Sequence, residues 1–394
     1  MGQACSCTSN RVIQTDKMIL RTRWDVDVMT QGLAAMETSV TVAETSTLAG
    51  PEPLPPKPNK LLPKRWTEWD FDIFSVPYDE LPGIAYSVLI AHPCISDSSS
   101  KLNLRKLWRY VCAIAAHYHP RPFHNFRHAV DVLLASSFLA RLIQAEHPEP
   151  FLDPLVVAAL LVSALVHDTD HPGVMSPYLI ATKHPVATIL GETPKAVLEH
   201  HHAAMAIKLL ERPELDFLVD VGAGEKKRFI DQIRENVLNT DVTTTMLAAK
   251  KFQETGTTSV PCTERLLLAD FKQVTADDST AGPTAEQVMC LIIKAADISN
   301  PARPLHVYER WIEGAMTEFF VQGDSEKAKG LPVSMNCDRD TVITSKAQVG
   351  FISFLVAPLY RTLAAYAPSM QPLVNQLDSN LKHFQDLAEK GQES

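Results

Sequence analysis

Basic charge is in short supply in this 394-residue chain: 37 lysines and arginines face 46 aspartates and glutamates, a formal net charge of −9. That balance argues against nucleic acid as a partner, because phosphate backbones are gripped by basic surfaces. Cysteines are few and scattered, seven in all, with no CxxC pair. An odd, dispersed set reads as free thiols in a reducing compartment and not as a disulfide framework. No secretory signal peptide is visible, so the expected location is cytoplasmic. The longest apolar stretch, Leu155 to Val166, is too short to span a bilayer and runs straight into His167-Asp168. It reads as a buried core helix. Strand-like alternation bounded by hairpin turns is missing, and no internal repeat is seen. What remains, 45% hydrophobic and 21% charged residues, is the composition of a soluble globular protein.

The two ends of the chain read differently. Residues 1–63 form a tail and linker: the first fifty lack sustained periodicity, and Pro51 to Pro63 is a proline-dense spacer that cannot form helix or a central strand. Met1-Gly2-Gln3-Ala4-Cys5-Ser6 fits the N-myristoylation pattern, and Cys5 and Cys7 sit where palmitoylation often follows. One acyl chain binds membranes only marginally, so the second matters for stable attachment. The expectation is peripheral attachment to the cytoplasmic face of a membrane. The rival reading is an ordinary tail that begins Met-Gly by accident.

Residues 64–394 read as one large all-α domain. Leu102 to Tyr118, Ala129 to Gln144, Pro154 to His167, Thr193 to Glu211 and Gln287 to Ala296 carry apolar residues at three and four spacing. Helix-stopping prolines and glycines recur between them, at His119-Pro120-Arg121-Pro122, His147-Pro148-Glu149-Pro150 and Pro172-Gly173. Glu254 to Pro283 reads as a long connection holding a short helix.

Three dispersed segments carry the chemistry. They are His124-Asn-Phe-Arg-His128, His167-Asp168-Thr-Asp170-His171-Pro172-Gly173, and Asp297-Ile-Ser-Asn300-Pro301. Neutral imidazoles with hard carboxylates make a divalent-metal site suited to hydrolysis. His124 and His128 are four apart, which predicts that both point from one helix face. His167-Asp168 and Asp297 each end an apolar run. Burying an imidazole and carboxylates there costs several kcal/mol unless a cation neutralises them. Asp168 has two oxygens and can bridge two cations. Each residue alone has an ordinary alternative: Asp297 as a helix-end charge, and any single histidine as a satisfied structural residue. His92, His117, His119, His147, His184, His306 and His383 are read that way.

On these residues the chain resembles the class I 3′,5′-cyclic nucleotide phosphodiesterases, within the broader HD superfamily of metal phosphohydrolases. The likeness runs from Trp69 to about Leu387. It includes Leu198-Glu199-His-His201-His202, Asn239-Thr240-Asp241, Glu318-Phe319-Phe320-Val-Gln-Gly-Asp324 and Lys346-Ala-Gln348-Val-Gly-Phe351. The resemblance implies a compact multi-helix catalytic domain that hydrolyses cyclic nucleotides. It implies that His128, His167, Asp168 and Asp297 hold Zn2+, with Asp168 bridging to Mg2+ or Mn2+. His124 is then the acid that protonates O3′, and His171 lies beside the phosphate. Glu199 and Thr240, with His201 in similar work, hold waters of the second ion. Gln348 pairs with the purine edge, Phe351 stacks on the ring, and Asn300 faces the base and favours cAMP over cGMP. A homodimer is compatible with this reading.

The chain departs from the family pattern at Phe123, Val242, Ala315 and His200. Phe123 stands where a tyrosine is usual, Ala315 where a larger aliphatic residue closes the purine clamp, and His200 where an asparagine is usual. None of these is a metal ligand. They bear on substrate preference. Two alternatives stay open here: a membrane-tethered nucleotide-binding scaffold without turnover, and another HD-type nucleotide phosphohydrolase.

Overall fold

The computed structural model describes residues 62–63, 65–97, 100–189, 196–241 and 284–390. Gly2, Cys5 and Cys7, nearly all of the expected tail, and the expected connection over 254–283 lie outside the described residues. Among the described residues every regular element is helical, as the pattern of three and four spacing requires. In chain order the main helices are α1 (Leu81–Ala91), α2 (Leu104–Ala116), α3 (Phe126–Glu146), α4 (Pro154–Val166), α5 (Val197–Leu210) and α6 (Ala223–Leu238). They continue with α7 (Ala285–Asp297), α8 (Leu305–Ala328), α9 (Thr344–Phe351), α10 (Ala357–Tyr366) and α11 (Gln371–Glu389).

Local chemistry sets the helix starts. Asn103 caps α2 by accepting from the Lys106 N–H, and Asp153 caps α4 by accepting from Leu155 N–H, with Pro154 in the first turn where its missing N–H is not needed. Thr284 and Gln287 form a reciprocal capping box at the start of α7, two residues ahead of the predicted start.

Helix α4 is the hub. Every residue from Val156 to Val166 is buried, so the helix has no solvent face and must be surrounded. It packs against α1, α3, α6 and α7. Each fully buried valine or leucine there contributes about 1.5–3 kcal/mol relative to exposure. The polar His167 and Asp168 begin where this apolar helix ends. A π-helical turn, Ile352–Val356, joins α9 to α10, so Thr344 to Tyr366 runs as one helix long and apolar enough to cross a membrane. Half of its apolar window is buried in this domain, where α9 and α10 pack on α11.

Candidate metal centre and active site

The start of α3 and the ends of α4 and α7 meet at one point. His128 lies in the first turn of α3, His167 and Asp168 follow α4, and Asp297 closes α7. Their ligand atoms form one compact group. His128 Nε2 is 3.1 Å from Asp297 Oδ1, 3.5 Å from Asp168 Oδ2 and 3.3 Å from His167 Nε2. His167 Nε2 is 3.1 Å from Asp168 Oδ2 and 3.2 Å from Asp297 Oδ1. Metal–ligand bonds of about 2.1 Å separate neighbouring ligands by roughly 3.0 Å in an octahedron and 3.4 Å in a tetrahedron. The spacings of 3.1–3.5 Å match those of ligands able to surround one divalent cation. The tautomer agrees: His167 Nδ1–H donates to the Ala164 carbonyl at 2.9 Å, which turns the Nε2 lone pair inward. Two C-terminal helix ends also favour positive charge at this point.

Asp168 belongs to a second group, with His171 and His202. His202 Nδ1–H donates to the Thr169 carbonyl at 2.7 Å, leaving Nε2 to face Asp168 Oδ1 at 3.7 Å. Burial holds His202 neutral, its pKa lowered to about 4. Glu199, in the first turn of α5, has a buried Oε2 with no hydrogen-bond partner among the described residues. Burial and the nearby Asp241 carboxylate push Glu199 up to about 8. An orphaned carboxylate oxygen of this kind suits a hydrated cation beside it. Thr240 is buried next to Asp241, its hydroxyl donating to the Val237 carbonyl. The residues present therefore fit two divalent ions sharing Asp168.

The loop after α4 is held by Asp170, which adopts a left-handed backbone (φ 65°). Its carboxylate accepts from His119 Nε2 at 2.6 Å and from His201 Nε2 at 2.8 Å. Burial opposes the charge on Asp170, but the two imidazole bonds outweigh it and hold the carboxyl well below its usual range. His201 thus braces the ligand loop through Asp170.

His124 does not share a helix face with His128. Asn125 is the N-cap of α3, accepting from Arg127 N–H at 2.9 Å, so His124 lies in the turn before the helix. Asparagine's preference for that position was the overlooked signal. The turn is held from α8. Glu318 accepts from the backbone N–H of Phe123 (2.7 Å) and His124 (2.8 Å), and from His124 Nδ1–H at 2.6 Å. Gly314, one turn earlier on α8, makes the approach possible, since a Cβ there would lie 2.7 Å from the Pro122 carbonyl oxygen. Burial disfavours charge on His124, but the Glu318 carboxylate, helped by Asp168 and Asp297, pushes its pKa up to about 9. His171 stacks on it at 3.8 Å between ring centroids, and burial plus the His124 charge keep His171 well below 6.5. An imidazolium and a neutral imidazole thus lie side by side, their pKa values pushed apart.

The three residues assigned to the base lie on neighbouring elements. Asn300 opens a buried turn, Asn300–Ala302, three residues past Asp297. Gln348 is buried on α9, and its Oε1 accepts from the Tyr308 hydroxyl at 2.6 Å. Phe351 is half-buried, one turn beyond Gln348. Helix α11 packs against both the Asn300 turn and α9. Phe123, lacking a hydroxyl, places its ring 4.8 Å from that of His124 and 4.7 Å from that of His128. Glu318, Asp170 and His202 stand in the quoted segments without a role read for them, and Tyr308 was not singled out from the sequence. Their partners lie 31 to 195 residues away where hydrogen bonds are formed.

A family model described as 3′5′-cyclic nucleotide phosphodiesterase matches residues 123–377. The chain is similar to the "Probable 3′,5′-cyclic-AMP phosphodiesterase pde-4" of Caenorhabditis elegans, 32% identical over 338 residues, covering 82% of this chain and 46% of the relative. It is likewise similar to the "3′,5′-cyclic-AMP phosphodiesterase 4C" of Rattus norvegicus, 32% identical over 327 residues, covering 81% of this chain and 57% of the relative. The chain therefore spans about half the length of the curated relatives it matches. Among solved structures, that of LmjPDEB1 in complex with IBMX superposes with a TM-score of 0.70 at 26% identity, covering 82% of this chain and 93% of that one. With a matched region that takes in every residue of the metal group and reaches past the Asn300 turn and α9, the chain belongs to the 3′,5′-cyclic nucleotide phosphodiesterase family.

Proposed function

We propose that this chain hydrolyses 3′,5′-cyclic nucleotides to nucleoside 5′-monophosphates, with cAMP preferred over cGMP. The observation that carries the reading is Asp168 shared between two ligand groups, beside an imidazolium held by Glu318. A binding module has no use for a buried acid of that kind. The relatives named as cyclic-AMP phosphodiesterases support the same reaction and the cAMP preference.

Zinc would be held by His128, His167, Asp168 and Asp297, and magnesium or manganese by Asp168 with waters held by Glu199 and Thr240. When bound, the two ions supply a water of lowered pKa and neutralise phosphate charge. Having given a proton to solvent, that water would attack as hydroxide, its oxygen bonding to phosphorus as the P–O3′ bond breaks. His124 gives its Nε2 proton to the departing O3′, while Glu318 keeps hold of Nδ1–H. His171, neutral, lies beside the phosphate without competing for charge. Gln348, oriented by Tyr308, meets the purine edge. Phe351 covers one ring face, and Asn300 hydrogen-bonds the base. Acylation at Gly2, Cys5 and Cys7 attaches the enzyme to the cytoplasmic face of a membrane.

The test is hydrolysis of cAMP and cGMP side by side by the purified protein, with and without a chelator. Chelator-sensitive release of 5′-monophosphate, faster for cAMP, is expected. No hydrolysis of either nucleotide by the metal-supplied protein sinks the proposal.

A further inference from the structure

The described residues ahead of α1, 62–63 and 65–80, form no helix longer than one turn, yet arginines further along the chain hold their backbone down. Arg141 donates to the Thr67 carbonyl at 2.8 Å, Arg303 to that of Trp69 at 2.7 Å, and Arg127 to those of Ile73 and Val76 at 2.7 Å each. This strap crosses the turn that carries Asn300. Trp69 Nε1–H donates to the Ala302 carbonyl at 2.7 Å, and the Arg303 guanidinium lies 4.1 Å from the centroid of the Trp69 ring. Arg303 also bonds Asp131 at 3.1 Å, with both side chains only 3% exposed, and Asp131 lies three residues beyond His128 on α3.

Backbone accounting shows what Trp69 contributes. The Asn300 carbonyl accepts from Arg303 N–H, those of Pro301 and Arg303 from Asn380 Nδ2 at 2.8 Å each, and that of Ala302 from Trp69. Each carbonyl of the turn thus has a donor. Without the indole, the Ala302 carbonyl is orphaned and the buried guanidinium loses the ring it lies over. Asn300 is buried in the same turn, so its amide direction follows the turn.

We propose that Trp69 is a positioning residue for base recognition: locked to Ala302 and Arg303, it fixes the turn that presents Asn300, and the strap ahead of α1 thereby sets nucleotide affinity and choice. This rests on the reading above that Asn300 faces the base.

The experiment uses the full chain loaded with zinc and magnesium. Trp69→Phe keeps a ring over Arg303 and removes the N–H; Trp69→Leu removes both. Steady-state kinetics with cAMP and cGMP are read beside thermal melts and bound-metal content. KM for cAMP should rise about fivefold in Trp69→Phe, one hydrogen bond's worth, and more in Trp69→Leu, with kcat and metal content little changed. The cAMP-to-cGMP ratio of kcat/KM should move toward one. Adding Trp69→Phe to Asn300→Ala should cost nothing further, because the two act through one contact. If Trp69→Phe melts earlier but keeps the parent KM and ratio, Trp69 is only structural and the proposal falls. Wild-type protein inactive on both nucleotides would sink the underlying reading, and the proposal with it.

Discussion

Replacing Glu318 by glutamine tests the acid at the centre of the mechanism. The carboxylate takes three hydrogen bonds, two from the backbone of the turn and one from His124 Nδ1–H. Glutamine Oε1 can keep the backbone pair, so the turn keeps its place. What is lost is the charge that outweighs burial and pushes His124 up to about 9. Bound cations cancel the help from Asp168 and Asp297, which leaves Glu318 as the main support of the imidazolium. Without it, burial leaves His124 at or below its ordinary value of about 6.5. At pH 7.5 the protonated fraction then falls from nearly all to about one tenth or less, and turnover should fall at least about tenfold. The sign follows from the role. An acid acts only while protonated, so activity is lost as pH rises through its pKa. The wild-type basic limb should lie near or somewhat below 9, and in Glu318→Gln it should lie at 6.5 or lower. The assay is the pH dependence of kcat/KM for cAMP from pH 5.5 to 9.5 with saturating metals. A variant whose basic limb stays where the wild type has it, at unchanged metal content, would refute the assignment of His124 as the acid supported by Glu318.

Three further outcomes are expected. Asp297→Ala should abolish turnover and remove the tightly held metal, measured by elemental analysis of the purified protein; full metal content with wild-type activity would contradict the ligand set. Asn300→Ala should lower kcat/KM for the preferred nucleotide by about ten- to a hundredfold, the loss of a buried hydrogen bond of roughly 1–3 kcal/mol; an unchanged cAMP-to-cGMP ratio would show that this amide does not choose the base. Gly2→Ala should move the protein from the membrane to the soluble fraction on cell fractionation, and no shift would rule out an acyl anchor.

Sequence reasoning went furthest where chemistry is local. The apolar run into His167-Asp168, and a second into Asp297, announced buried charges in need of a cation, and the structure gathers those residues with His128. The one local inference that failed was the shared helix face of His124 and His128. A spacing of four fits a helix, but Asn125 starts that helix between them. Spacing alone cannot say where a helix begins; a capping side chain can.

By itself the sequence determined the all-α class and several of the helical stretches, and it pointed to His128, His167, Asp168 and Asp297 as candidate ligands, because periodicity, caps and ligand chemistry are written within a few residues of one another. Only the tertiary structure decided who supports those residues: Glu318 under His124, Asp170 between His119 and His201, Tyr308 on Gln348, and Trp69 with Arg303 across the Asn300 turn. The physical reason is that a hydrogen bond acts over about 3 Å in space and leaves no periodic mark on a chain whose partners are up to 234 residues apart.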